Sequence, residues 1–94
     1  MIIAACRLRL YLPGCESLKD KRGRLKPLLA RLRREFNIAA AEVDLQDVWQ
    51  SAELALVAVA NDSARAQAEL QQVLRWIERN RPEVEIVDAP LELR

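Results

Sequence analysis

Eight of the fifteen basic side chains in this 94-residue chain fall between positions 19 and 34. Lys19, Arg22, Lys26 and Arg33 recur at i+3, i+4 and i+7 spacings, which on a helix gathers them within about 60° on one flank. No acid falls on that flank. Arg24, Arg31 and Arg34 widen the basic surface, and Lys21 completes a run in which all three lysines occupy eight residues. Such a ridge suits contact with the phosphates of a nucleic acid through charge, without readout of base sequence. A basic helix face also has a blander use, as a solvated exterior that pairs with acids elsewhere. The chain supplies those acids. Residues 1–34 hold ten Lys or Arg against two acids, and residues 35–94 hold five Arg against twelve, for a net charge of +1. Charge asymmetry between halves bears on partners more directly than net charge does.

Other chemistry is thinly supplied. There is no histidine, so no imidazole-based triad or zinc site is available, and two cysteines, Cys6 and Cys15, are too few for a disulfide framework. Cys15 lies in Pro13-Gly14-Cys15-Glu16-Ser17, a turn leading into a helix start where backbone N–H groups can meet an anion. It has neither the glycine-rich arginine cradle of an acylphosphatase nor the Cys-x-x-Cys pair of a metal chaperone. Glu42, Asp44 and Asp47 place three carboxylates within six residues. They do not reproduce a calcium loop, so a structural or partner-contacting role is expected. No catalytic residue, metal or cofactor is therefore assigned, and an enzyme is the weakest functional class.

The four aromatics are Tyr11, Phe36, Trp49 and Trp76. None falls in the third predicted strand, which excludes the base-stacking platform of an RNA-recognition motif. Trp49, in a connection between strands, has the character of an interface anchor. Trp76 falls off the apolar stripe of its helix.

Composition, 51% apolar and 31% charged, describes one folded domain spanning 1–94. No run approaches the roughly 18 apolar residues of a membrane helix. No signal-peptide pattern is recognised, and a cytoplasmic location is expected. Ile2 to Leu12 alternates: Cys6, Leu8, Leu10 and Leu12 on one face, Arg7, Arg9 and Tyr11 on the other, as in a half-buried strand. Ser17, with Asp20 three residues on, resembles a capping box. Leu18, Leu25, Leu28, Leu29, Leu32 and Phe36 then form one apolar face of a helix over 18–36, kinked or broken at Pro27. Strands are predicted over 38–44, over the apolar run 54–60, and over 83–89 with Pro90 marking a sheet edge. Between the last two, Asn61-Asp62-Ser63 caps a helix that closes at Asn80. The order strand, helix, strand, strand, helix, strand predicts an α+β ferredoxin-like sandwich, four antiparallel strands with both helices on one face.

Ser17-Leu18-Lys19-Asp20-Lys21-Arg22, Phe36-Asn37, Ala41-Glu42-Val43-Asp44, Gln46-Asp47-Val48-Trp49-Gln50 and Asn61-Asp62 occur here in one order. Together they resemble the YlxP-like family of small bacterial proteins, a domain-of-unknown-function family. The resemblance covers nearly the whole chain. It implies a ferredoxin-like domain whose genes sit near translation-initiation and ribosome-maturation genes, and it brings no catalytic residues. The expected protein is a non-enzymatic accessory factor whose helix-one ridge contacts RNA or ribosomal particles. The alternative is an interaction module using the open sheet face and Trp49. A homodimer is expected through that face, with Ala55, Val57 and Val59 beside Arg7, Arg9 and Tyr11.

Overall fold

The computed structural model describes residues 1–94. Its elements are β1 (Ile2–Tyr11), α1 (Leu18–Glu35), β2 (Ala39–Asp44), β3 (Ser51–Ala60), α2 (Ser63–Asn80), β4 (Glu85–Asp88) and β5 (Leu91–Leu93). The sheet runs β2-β3-β1-β4, with β5 also paired to β1, and every pairing is antiparallel.

The ladder between β1 and β3 is the spine. Ten residues pair without a slip, from Ile2 opposite Ala60 to Tyr11 opposite Ser51. Because side chains alternate along a strand, this register sends Ala4, Cys6, Leu8 and Leu10 to one face with Ala52, Leu54, Leu56 and Ala58. All eight are buried. Leu25, Leu28 and Leu32 of α1 and Ala66, Leu70, Val73 and Ile77 of α2 close over them. Burying each such leucine contributes about 1.5–3 kcal/mol, so this layer supplies most of the driving force for folding.

β3 begins at Ser51, three residues before its apolar run, because Ser51, Ala52 and Glu53 continue the ladder opposite Tyr11, Leu10 and Arg9. The last strand is two segments rather than one. β4 and β5 both pair with β1 and are separated at Ala89-Pro90. Proline cannot donate to a ladder, which splits the strand, yet the Pro90 carbonyl accepts from Arg7 N at 3.0 Å and keeps the chain on the edge of β1. The sheet therefore has five strands where four were expected.

Helix α1 is continuous through Pro27. The proline removes the donor for the Gly23 carbonyl, but Gly23 and Pro27 both lie on the exposed side, where water can replace it. A Cβ at Gly23 would meet nothing within 4 Å, so the glycine is not required by a close neighbour. Ser17 Oγ accepts from Asp20 N at 3.0 Å, whereas Asp20 Oδ2 accepts from Glu16 N at 3.3 Å instead of from Ser17. The capping box is thus displaced by one residue. Asp62 caps α2, its Oδ1 accepting from Arg65 N at 3.1 Å.

Both cysteines are unbonded and buried. Burial first, and the Asp88 charge second, push the Cys6 thiol above its ordinary value of 9.0. Cys15 lies just past the turn yet is fully enclosed, its Sγ 3.5 Å from the Ser17 carbonyl oxygen, so it is a core residue and not an exposed loop thiol.

Candidate nucleic-acid interface

The eight basic residues of α1 divide by their place around the helix axis. Lys21 lies inside. Its wheel position is in the middle of the Leu25–Leu28–Leu32 face, and only 2% of the residue is exposed. Its Nζ donates to the Leu45 carbonyl at 2.6 Å and pairs with Glu42 Oε2 at 3.0 Å. Lys21 is therefore withdrawn from the predicted phosphate surface, and its charge is spent joining α1 to the far end of β2. Arg24 is also committed. Its Nη1 donates to the carbonyls of Pro13 and Glu83, at 2.7 and 3.1 Å, clipping the turn before α1 to the segment before β4. Arg31 pairs with Glu35 at 3.2 Å and lies 5.4 Å from the Trp76 ring centre. Arg24 and Arg31 hold the fold together and leave the widened basic surface.

Lys19, Arg22, Lys26 and Arg34 remain exposed, with no carboxylate of the chain within ion-pair distance. Arg33 is intermediate in kind. It is exposed and lacks a carboxylate, but its Nε and Nη2 both donate to the Ala40 carbonyl, at 3.1 and 2.7 Å. The free ridge is thus Lys19, Arg22 and Lys26, continued by Arg33.

The ridge is one wall of a groove of about 460 Å³ between α1 and the β2–β3 connection. Leu18, Leu25 and Leu29 form its floor; Arg22, Lys26 and Arg33 line the helix side; Glu42, Gln46 and Asp47 line the other. A strained turn leads into its far wall. Leu45 has φ +61, a left-handed conformation that costs a residue with a Cβ about 1 kcal/mol or more. Three contacts hold it there: Asp44 Oδ1 accepts from Leu45 N at 2.7 Å, and the Leu45 carbonyl accepts from Lys21 Nζ and from Val48 N. Glu42, Asp44 and Asp47 accordingly serve three purposes: ion pair, turn and groove wall. Sequence spacing alone groups them as one acidic cluster. No group of three His, Cys, Asp or Glu side chains is placed to hold a metal.

Arg7, Arg9 and Tyr11 lie on the face of the sheet opposite the helices, as the alternation predicts. Glu53 stands across from Arg9 and accepts from its Nη2 at 2.9 Å, with Arg7 Nε 3.6 Å away. These two arginines cover Glu53, whose side chain is 7% exposed. Ala55, Val57 and Val59 continue along the same face, opposite Arg7, Ala5 and Ile3, with Ala39 and Ala41 of β2 beside them. Trp49 stands at the Tyr11 end, two residues before β3, and is 51% exposed. Trp76 is not a free anchor. It is half-buried, meets Phe36 edge-on at 6.2 Å, and has Arg31 and Arg81 over its ring.

The buried position of Lys21 and the groove residues Gln46 and Asp47 were not legible as site features from residue type alone. For Lys21 a signal existed, since its place on the wheel falls within the apolar stripe. Asp47 was visible as one of three neighbouring carboxylates but not as a groove wall, and for Gln46 there was no signal, because a connection's path follows from tertiary contacts.

The fold is shared with a de novo designed protein, LFR1 1, described by its solution NMR structure as having a ferredoxin fold. The two superpose with a TM-score of 0.58 at 13% identity, over 100% of this chain and 84% of the designed one. Residues 3–90 match the family described as Protein of unknown function (DUF503). The chain is similar to the Uncharacterized protein YlxP of Bacillus subtilis (strain 168), with 38% identity over 82 residues, 87% of this chain and 86% of that one. The chain belongs to this family, as its sequence motifs imply. No helix is long and apolar enough to cross a membrane.

Removing the Lys21 ammonium leaves the Glu42 carboxylate and the Leu45 carbonyl short of a partner. Lys21→Met should lower unfolding stability in urea by about 2–3 kcal/mol, since Glu42 is partly solvated and a fully buried broken pair costs more. Combining it with Glu42→Gln should recover at least half of the loss. An unchanged urea midpoint for Lys21→Met would show that the pair does not hold the groove together.

Proposed function

We propose that the protein is a non-enzymatic accessory factor that contacts RNA through the exposed ridge of α1. The observation that carries this reading is the isolation of Lys19, Arg22 and Lys26. The chain is rich in acids, and six of its cations are ion-paired, yet these three share one exposed flank with no carboxylate partner. Charge left unneutralised in one row favours an extended polyanion, and release of its counterions supplies affinity. Ribosomal particles are the RNA source that the expected gene neighbourhood suggests, and a cytoplasmic location goes with that reading.

A second reading is favoured by the open sheet face. Its β1–β3 ladder and the adjoining β2 expose alanine and β-branched side chains in adjoining rows, ending in Val59 at 56% exposed. A face of this kind fits the same face of a second copy, related by a two-fold axis, with Arg7, Arg9, Tyr11 and Trp49 at one end. The two readings use opposite sides of the protein and are compatible.

Binding of a fluorescent single-stranded RNA should weaken steeply with salt, with a log–log slope of about −3 for four phosphate contacts. The triple variant K19Q/R22Q/K26Q should keep its circular dichroism spectrum, lose most of its affinity and reduce the slope to about −1. Arg33 is spared because it also ties α1 to β2, and Glu78→Gln serves as a control without effect. Wild-type affinity in the triple variant, or no binding by the wild type at low salt, would refute the RNA reading. Sedimentation at tens of micromolar should show a dimer, and a monomer at that concentration would refute the second reading.

A further inference from the structure

The ridge accounts for phosphate contact but leaves the rest of the groove unused. A surface that only grips a polyanion gains nothing from an apolar floor, and it loses affinity to a carboxylate placed opposite. Here both features are present. Leu18, Leu25 and Leu29 lie beneath, and Asp47 faces the cationic wall without an ion pair or a hydrogen bond of its own. The volume, about 460 Å³, is in the range of pockets that enclose small organic groups.

We propose that the groove takes one unpaired base of a single-stranded RNA, with its flanking phosphates on the cationic wall and its amino-bearing edge on Asp47. The inference rests on the RNA reading above and deepens it. Three features of the lining match three parts of a nucleotide. Arg22, Lys26 and Arg33 meet phosphate; the leucines meet the flat, weakly polar base face; the acceptors meet an exocyclic N–H₂ group, which adenine, cytosine and guanine carry and uracil lacks. Glu42 is half-buried and ion-paired with Lys21, whereas Asp47 is exposed and unpaired and so is the carboxylate on this wall best placed to take a new donor, with Gln46 beside it. Uracil presents a carbonyl where cytosine presents the amine, and that carbonyl would face the Asp47 carboxylate without a proton between them. Duplex RNA cannot use the groove, since its bases are stacked and paired.

The chemistry sets the test. Fluorescence anisotropy would compare labelled hexamers of adenylate, cytidylate and uridylate at one low salt concentration. The adenylate and cytidylate strands should bind about tenfold more tightly than uridylate, in line with one good base-edge contact. Asp47→Ala should remove that difference by weakening the amino-bearing strands while leaving uridylate binding unchanged or slightly stronger. The substituted side chain is exposed and unbonded, so the variant should fold, as circular dichroism would verify. Equal affinity of wild type for all three strands would overturn the proposal while leaving phosphate contact by the ridge intact. A preference that survives Asp47→Ala would also overturn it. Failure of every strand to bind would overturn the RNA reading itself.

Discussion

One buried ammonium group joins the two walls of the groove. Lys21 lies on the apolar face of α1, where a leucine would be expected, and its Nζ reaches across to Glu42 and the Leu45 carbonyl. Desolvating a lysine is expensive, and the cost is met only because a carboxylate and a carbonyl converge on the same nitrogen. That convergence ties the helix to the end of β2 and holds Leu45 in a left-handed conformation. It thereby sets the path of residues 46–50. The helix that carries the floor and the cationic wall is thus joined at this nitrogen to the connection that carries Asp47.

The same lysine explains why the basic segment is less uniform than its composition suggests. Within a helix, charge alone does not make a binding surface; angular position decides. Positions toward the sheet became a buried pair, at Lys21. Positions toward the neighbouring segments became clips, at Arg24 and Arg31. Of the α1 cations, Lys19, Arg22 and Lys26 form the one free row, on the flank facing the β2 edge, with Arg34 free apart from it. On the other side of the sheet a similar economy operates, since Arg7 and Arg9 are drawn toward Glu53 and are half engaged before any partner arrives. The two candidate surfaces thus differ in kind: one offers unneutralised charge, the other apolar rows beside a self-satisfied ion cluster.

Much of the architecture was legible in local sequence. The alternation through Cys6, Leu8 and Leu10 fixes the face of β1, and the wheel positions of Leu25, Leu28 and Leu32 fix that of α1, because each period is imposed by backbone geometry. Ser17 and Asp62 mark helix starts through side-chain capping, which is equally local. Two features were harder. The split of the last strand depends on Pro90 keeping its carbonyl in the ladder while lacking a donor, which only the partner strand reveals. The continuity of α1 through Pro27 depends on which side of the helix meets water. At the candidate site, the free row Lys19, Arg22 and Lys26 was legible as helical spacing, whereas the groove opposite it was not. Its second wall comes from a connection that long-range contacts put in place.

The most direct measurement is an NMR titration of the isotope-labelled protein with single-stranded RNA, following backbone amides. If the helix ridge and groove bind RNA, perturbations should concentrate at residues 18–33 and 42–48, while the amides of β1 and the central part of β3 stay in place. Perturbations centred instead on residues 3–11 and 53–59 would put the contact on the open face of the sheet and contradict the assignment of function to α1.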